Sequence, residues 1–202
     1  MCKYYISDNI YIKNKKYYFE EEDEKYIKLN NKNWFKYLKN YNWSKMCLGW
    51  RKRLKENNKS CFGILDCGSN GDCLFHVISE ALNSILILEN KSPIYDYERL
   101  RIIASQQINK DNYDCIINSY ILEKENKEFM GDWEPLNIKN IDELSNEIKK
   151  CGNNFWGDHI LLQLLQQKLK FNVIIFNSDN YENSDNVDEK FKILPISNLD
   201  NE

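Results

Sequence analysis

Cys73 lies in the run NGDCLFHVIS, residues 70–79, where a glycine turn gives way without a break to an apolar stretch. The attacking species in cysteine chemistry is the thiolate, and the unpaired N–H groups at a helix start stabilise an anion placed there. A cysteine that follows Asn70-Gly71-Asp72 and opens a helix therefore occupies the position of a nucleophile. The same amides, with those of the turn, could hold the oxyanion of a tetrahedral intermediate, and Gly71 would let the backbone approach it closely. The commoner use of such a cysteine is inert core filling. Nucleophilic work also requires a base, normally histidine, within hydrogen-bond reach. The chain has two histidines. His76 is three residues past Cys73 on the same helix and reads as a packing or polar contact. His159, near Trp156 at a second helix start, reads as a capping or exposed residue. A metal site from Cys61, Cys67, Cys73 and His76 has six-residue spacings that match no common zinc knuckle, so no metal is expected.

These residues need elements to position them. Leu74, Val77, Ile78, Ala81, Leu82, Ile85 and Leu86 recur at helical spacing behind Cys73, and Phe75 and Leu88 widen the stripe into that of a central helix. Further helices are expected over 95–108, 111–125 and 141–150, with 129–139 as an ordered loop. In FWGDHILLQLLQQKLKFNVIIF, residues 155–176, Asp158 is a natural N-cap, Leu161, Leu164, Leu165 and Leu169 line one helical face, and the β-branched run predicts a buried strand. A short strand FKIL over 191–194 should end at Pro195. Residues 1–30 alternate loosely, as short strands or a hairpin do, and the acidic run at 20–24 should be exposed. Two helical pieces are expected over 33–41 and 44–56, the second capped by Ser44, with NNKS at 57–60 as a linker.

Bulk properties narrow the function. The chain has 202 residues, 42% hydrophobic and 29% charged, which suits one soluble domain with an extension. It contains no apolar run of membrane-spanning length and no apolar leader, so an intracellular protein without membrane contact is expected. The seven cysteines are odd in number and form no CxxC pair, as free thiols in a reducing compartment would. Residues 1–60 carry 15 basic and 7 acidic side chains, and the remainder 13 and 24. Trp34, Phe35, Tyr37, Tyr41, Trp43 and Trp50 stud the basic segment, a combination that nucleic acid can use. The plainer reading packs these rings on the main domain and leaves the lysines in water. Residues 1–59 are thus read as a basic, partly helical extension and 60–202 as the domain.

The two blocks together resemble the ovarian-tumour (OTU) family of cysteine deubiquitinases. The family's nucleophile motif runs Asp-Gly-(Asn/Asp)-Cys-Leu-(Phe/Tyr) before a helix, and residues 70–75 match all but the first position. A second family block, Trp-Gly then a helix and a strand ending in an aromatic, is similar to Trp156-Gly157-Asp158-His159 with Leu162-Gln163 and FNVIIF. ERLR at 98–101, opening a helix between them, fits the same layout. Two blocks in order are more specific than either alone.

The resemblance covers residues 60–196 and implies an α+β, papain-like fold, a small sheet flanked by helices with the nucleophile on the central one. It implies hydrolysis of ubiquitin, or ubiquitin-like, isopeptide bonds through a Cys73 thioester, with Asn70, Gly71 and Asp72 as oxyanion helpers, Trp156, Gly157 and Asp158 as a structural motif, and no cofactor. Asn70 departs from the family's Asp and cannot orient a histidinium by charge. The family's catalytic histidine lies on a strand that here would follow Ile196. The resemblance therefore implies that the gene product continues past Glu202, that the domain binds ubiquitin without cutting it, or, least in keeping with the family, that His159 or His76 has been recruited as the base.

Overall fold

The structure, a computed structural model, describes residues 2–3, 9–21, 25–46, 63–178 and 191–196. Helices and antiparallel strands are both present, which makes the chain α+β. It divides into two compact units, one of residues 1–66, 83–93 and 172–202, the other of 67–82 and 94–171. The expected linker at 57–60 lies outside the described residues.

In the first unit, β1 (Cys2–Lys3), β2 (Ile10–Lys13), β3 (Lys16–Glu21) and β4 (Lys25–Lys28) form an antiparallel sheet in chain order. Lys13 pairs with Lys16 across a two-residue turn in which Asn14 and Lys15 both have positive φ, the backbone that matches strand twist in tight hairpins. Period-two alternation buries Ile10 and Ile12, and with Phe19, Leu38 and Ile87 they form this unit's core. Trp34, Tyr37, Tyr41 and Trp43 pack against it, so four of the basic segment's aromatic rings serve the core.

Several sequence expectations need correction here. The acidic run does not begin exposed: Glu20 and Glu21 are half-buried in β3, and Glu20 accepts hydrogen bonds from the Tyr11 and Tyr26 hydroxyls at 2.8 Å each. Residues 22–24 lie outside the described set. The first helical piece shortens to α1 (Trp34–Leu38), and the chain beyond it turns at Asn42 through a left-handed conformation. Ser44 caps no helix. It sits in β5 (Trp43–Lys45) and pairs with Ile64 of β6 (Gly63–Leu65), tertiary pairing outweighing a weak local helix preference. Residues 47–62, which hold the rest of that predicted helix, lie outside the described set.

The strands β7 (Val173–Ser178) and β8 (Phe191–Ile196) pair with each other in antiparallel register. The run at 171–176 is not a buried strand throughout, since Ile174 is 62% exposed on the outer face of this two-stranded ribbon. Nor does Pro195 end β8: it pairs with Ile174 and the strand runs on to Ile196. Proline is tolerated in an edge strand, where its missing N–H breaks no ladder bond.

The second unit is helical. It holds the start of α2 (Cys73–Leu88, to Leu82), then α3 (Tyr97–Ser105), α4 (Tyr113–Glu125), α5 (Ile141–Lys149) and α6 (His159–Leu169). Short polar residues start three of these helices, Asp158 among them as expected. Asp96 accepts from the Arg99 N–H at 2.7 Å, Asn140 from Glu143 at 2.9 Å and Asp158 from Leu161 at 2.8 Å. Leu100 and Ala104 of α3, Leu144 and Ile148 of α5, and Leu161 and Leu165 of α6 are fully buried, so three amphipathic faces close on one core. The loop over 129–139 buries Trp133 and includes a single 3-10 turn, Pro135–Asn137. Among the described residues no helix is long and apolar enough to cross a membrane.

Candidate active site

Cys73 is the first residue of α2, half-buried, behind a turn whose Gly71 has φ +78°. A side chain at Gly71 would bring its Cβ to 2.1 Å from the Gly152 carbonyl oxygen, so both the conformation and the space require glycine. Asp72 precedes the helix and its carbonyl accepts the His76 N–H at 3.0 Å. Its carboxylate does not cap the helix. Oδ1 accepts from Arg101 Nε at 2.6 Å, and Oδ2 from the Gly152 N–H at 2.7 Å.

Arg101 is fully buried on α3. Besides Asp72, it donates through Nη1 to the Ile148 carbonyl at 3.0 Å and through Nη2 to the carbonyls of Phe155 at 2.7 Å and Gly71 at 3.4 Å. Its guanidinium stands 4.3 Å from the centre of the fully buried Phe75 ring. A charge taken out of water is tolerable only when paired and hydrogen-bonded on all sides, and Arg101 meets that condition.

The segment 152–157 closes over the same turn. The Gly157 N–H donates to the Gly71 carbonyl at 3.3 Å, and a Cβ on Gly157 would meet the Leu74 Cβ at 2.6 Å. The two glycine-bearing blocks are thus in direct backbone contact. Asp72 and Cys73 donate no backbone hydrogen bond among the described residues, which leaves their N–H groups available beside the sulfur. Asn70 is exposed and Gly71 buried in the same turn.

The His76 ring packs on Tyr97 with centroids 4.9 Å apart. His159 is exposed at the first position of α6 and lines a cavity of about 340 Å³ with Tyr120, Glu123, Phe129, Trp133 and Trp156. Asp158 also faces this cavity. Burial pushes its carboxyl above the usual aspartate range, against the pull of the Leu161 N–H. Burial, then the Asp158 charge, raise both the Tyr120 phenol and the Glu123 carboxyl. Trp133 and Phe155 stack at 5.0 Å, and Tyr120 meets both edge-on, so the inner wall is packed aromatic core. Among the described residues, no three His, Cys, Asp or Glu side chains converge as metal ligands.

With this geometry in view, one curated relative is informative. "Putative ubiquitin thioesterase L96" of Tipula iridescent virus is 26% identical over 144 residues, 69% of this chain. The chain spans 15% of that relative's length. No protein-family model matches the chain, and no solved structure matches it.

Three participants escaped the sequence reading of the site. Arg101 left a signal, a charge at the position that joins Leu100, Ala104 and Ser105 on the buried face of α3. Gly152 left none, since its amide matters only through the tertiary contact with Asp72. Cys151 is exposed next to Gly152, and burial, then the Asp72 carboxylate, raise its thiol.

Proposed function

We propose that the chain is an OTU-like cysteine hydrolase of papain-like α+β fold, acting on ubiquitin or a ubiquitin-like protein. The observation that carries this reading is the half-buried Cys73 at the mouth of α2, with its own and the preceding amide N–H unengaged among the described residues. The name of the viral relative supports the substrate class. In this reading the Cys73 sulfur attacks the carbonyl carbon of the modifier's C-terminal glycine. The oxyanion that forms is met by the N–H groups of Asp72 and Cys73 and by the α2 start. The C–N bond then breaks, the lysine amine leaves with the proton that the thiol gave up, and water cleaves the thioester, its hydroxyl joining the glycine carbonyl and its proton returning to sulfur. Asn70, on the exposed side of the turn, can add a side-chain amide to the oxyanion. Trp156, Gly157 and Asp158 hold the facing segment in place, and no cofactor enters.

The test is a ubiquitin probe with an electrophilic C-terminus. The wild-type chain should gain one ubiquitin at Cys73, located by peptide mapping, and Cys73→Ala should gain none. Equal cleavage of ubiquitin chains by wild type and Cys73→Ala would remove Cys73 from the mechanism.

A second reading, ubiquitin binding without cleavage, is favoured by the positions of the histidines, one against Tyr97 and one at the aromatic cavity. It predicts saturable ubiquitin binding by NMR titration with no covalent adduct.

A further inference from the structure

Arg101 makes more contacts than an ion pair needs. It joins the turn before Cys73 to the segment that closes over it, through Asp72 and Gly71 on one side and Phe155 on the other. The contact with Gly71 has a geometric consequence. A trans peptide unit is planar, with its C=O and N–H pointing in opposite directions. The Gly71 carbonyl turns inward, to Arg101 and to the Gly157 N–H. The N–H of Asp72, in the same peptide plane, therefore points away from Arg101, and it is unengaged among the described residues.

We propose that Arg101 is a positioning residue for acyl chemistry at Cys73, fixing the turn so that the Asp72 and Cys73 amides face the place where an oxyanion forms. This rests on Cys73 acting as a nucleophile, but not on ubiquitin being the substrate. Arg101 touches no reacting atom. It acts by holding the Asp72 carboxylate and the Gly71 carbonyl, so that two amides are aimed before substrate arrives.

Two small reagents separate this role from a structural one. With iodoacetamide, the S–C bond forms as the C–I bond breaks, iodide leaves, and no oxyanion appears. With p-nitrophenyl acetate, sulfur adds to the carbonyl, an oxyanion forms, and p-nitrophenolate leaves with the electron pair. Rates are measured at Cys73 by peptide mapping, because the chain has seven cysteines. In Arg101→Lys, which keeps the charge near Asp72 but loses the planar fork, alkylation should stay within about twofold of wild type. Acetylation should fall at least about tenfold. A second variant joins Arg101→Met to Asp72→Asn, so that no buried carboxylate is left alone, and should show the same split.

An unchanged ratio of the two rates in either variant, with cooperative unfolding retained, overturns the proposal. Loss of cooperative unfolding in both variants also overturns it, because it assigns Arg101 to the fold alone. A wild-type chain that ignores the ubiquitin probe yet shows the split loses its substrate assignment and keeps this one. A Cys73 inert to both reagents sinks both.

Discussion

Gly71-Asp72-Cys73 and Gly157-Asp158-His159 each open a helix with a glycine, an aspartate and a residue capable of chemistry. The two aspartates do different work. Asp158 turns back on its own helix and accepts the Leu161 N–H, as an N-cap does. Asp72 turns away, to Arg101 and Gly152, and leaves the first amides of α2 without a side-chain cap among the described residues. A capped helix start has spent its anion site on itself, while an uncapped one keeps it open. In the proposed reading, the place for a reactive sulfur is made by diverting a cap into a buried ion pair.

The contrast should break most severely at Arg101. Replacing it with Met leaves the Asp72 carboxylate buried without its partner, and urea unfolding should report a loss of about 3–5 kcal/mol. Adding Asp72→Asn should return most of it. A loss below about 1 kcal/mol in the single variant would mean that Asp72 can find a local partner, as Asp158 does.

The glycines offer a sharper cut. Gly71 and Gly152 both have positive φ, at +78° and +77°, but a Cβ at Gly71 runs into the Gly152 carbonyl while one at Gly152 meets nothing within 4 Å. Alanine at Gly152 should cost about 1 kcal/mol for the backbone alone. Alanine at Gly71 adds a collision between two backbones, and should cost about 3 kcal/mol or more in thermal melts. Equal costs would mean that the two turns are not in contact.

Much of this was legible in the sequence wherever a local rule governs. The start of α2 at Cys73, the Asp158 cap and the helices over 97–105, 113–125 and 141–149 follow from spacing and cap chemistry that no distant residue overrides. The reading failed where partners far along the chain decide. Ser44 satisfies the rule for a cap, but pairing with Ile64 makes it a strand residue. Pro195 satisfies the rule for a strand end, yet it pairs with Ile174. Asp72 carries the same local signal as Asp158. Only Arg101, 29 positions away, and Gly152, 80 positions away, distinguish the two.

The helices differ further along. In α6 the fully buried polar side chain is the neutral amide of Gln166, while α2 buries Glu80, whose carboxyl is pushed up to about 7 by desolvation. The folded state therefore holds the Glu80 proton more tightly than the unfolded chain does. The contribution of Glu80 to stability is fullest below pH 4.5, where both states are protonated, and declines as pH rises through the window to about 7. Glu80→Gln makes α2 resemble α6 in this respect. It should flatten that decline and raise stability near about pH 8 by about 1–2 kcal/mol. A variant that keeps the wild-type slope would place the titrating group elsewhere.

The smallest effect tests the contrast most directly. Asp158→Ala removes one accepted hydrogen bond at the start of α6 and should cost about 1 kcal/mol, while Asp158→Asn, which keeps the accepting oxygen, should cost a few tenths or about nothing. The same pair of changes at Asp72 should rank alike but on a larger scale, because there the charge is held by Arg101 and both carboxylate oxygens are engaged. Two sets of chemical melts, compared variant by variant, read this out. If the Ala-to-Asn difference is the same at both positions, Asp72 acts as an ordinary cap, and the open amides in front of Cys73 lose their physical cause.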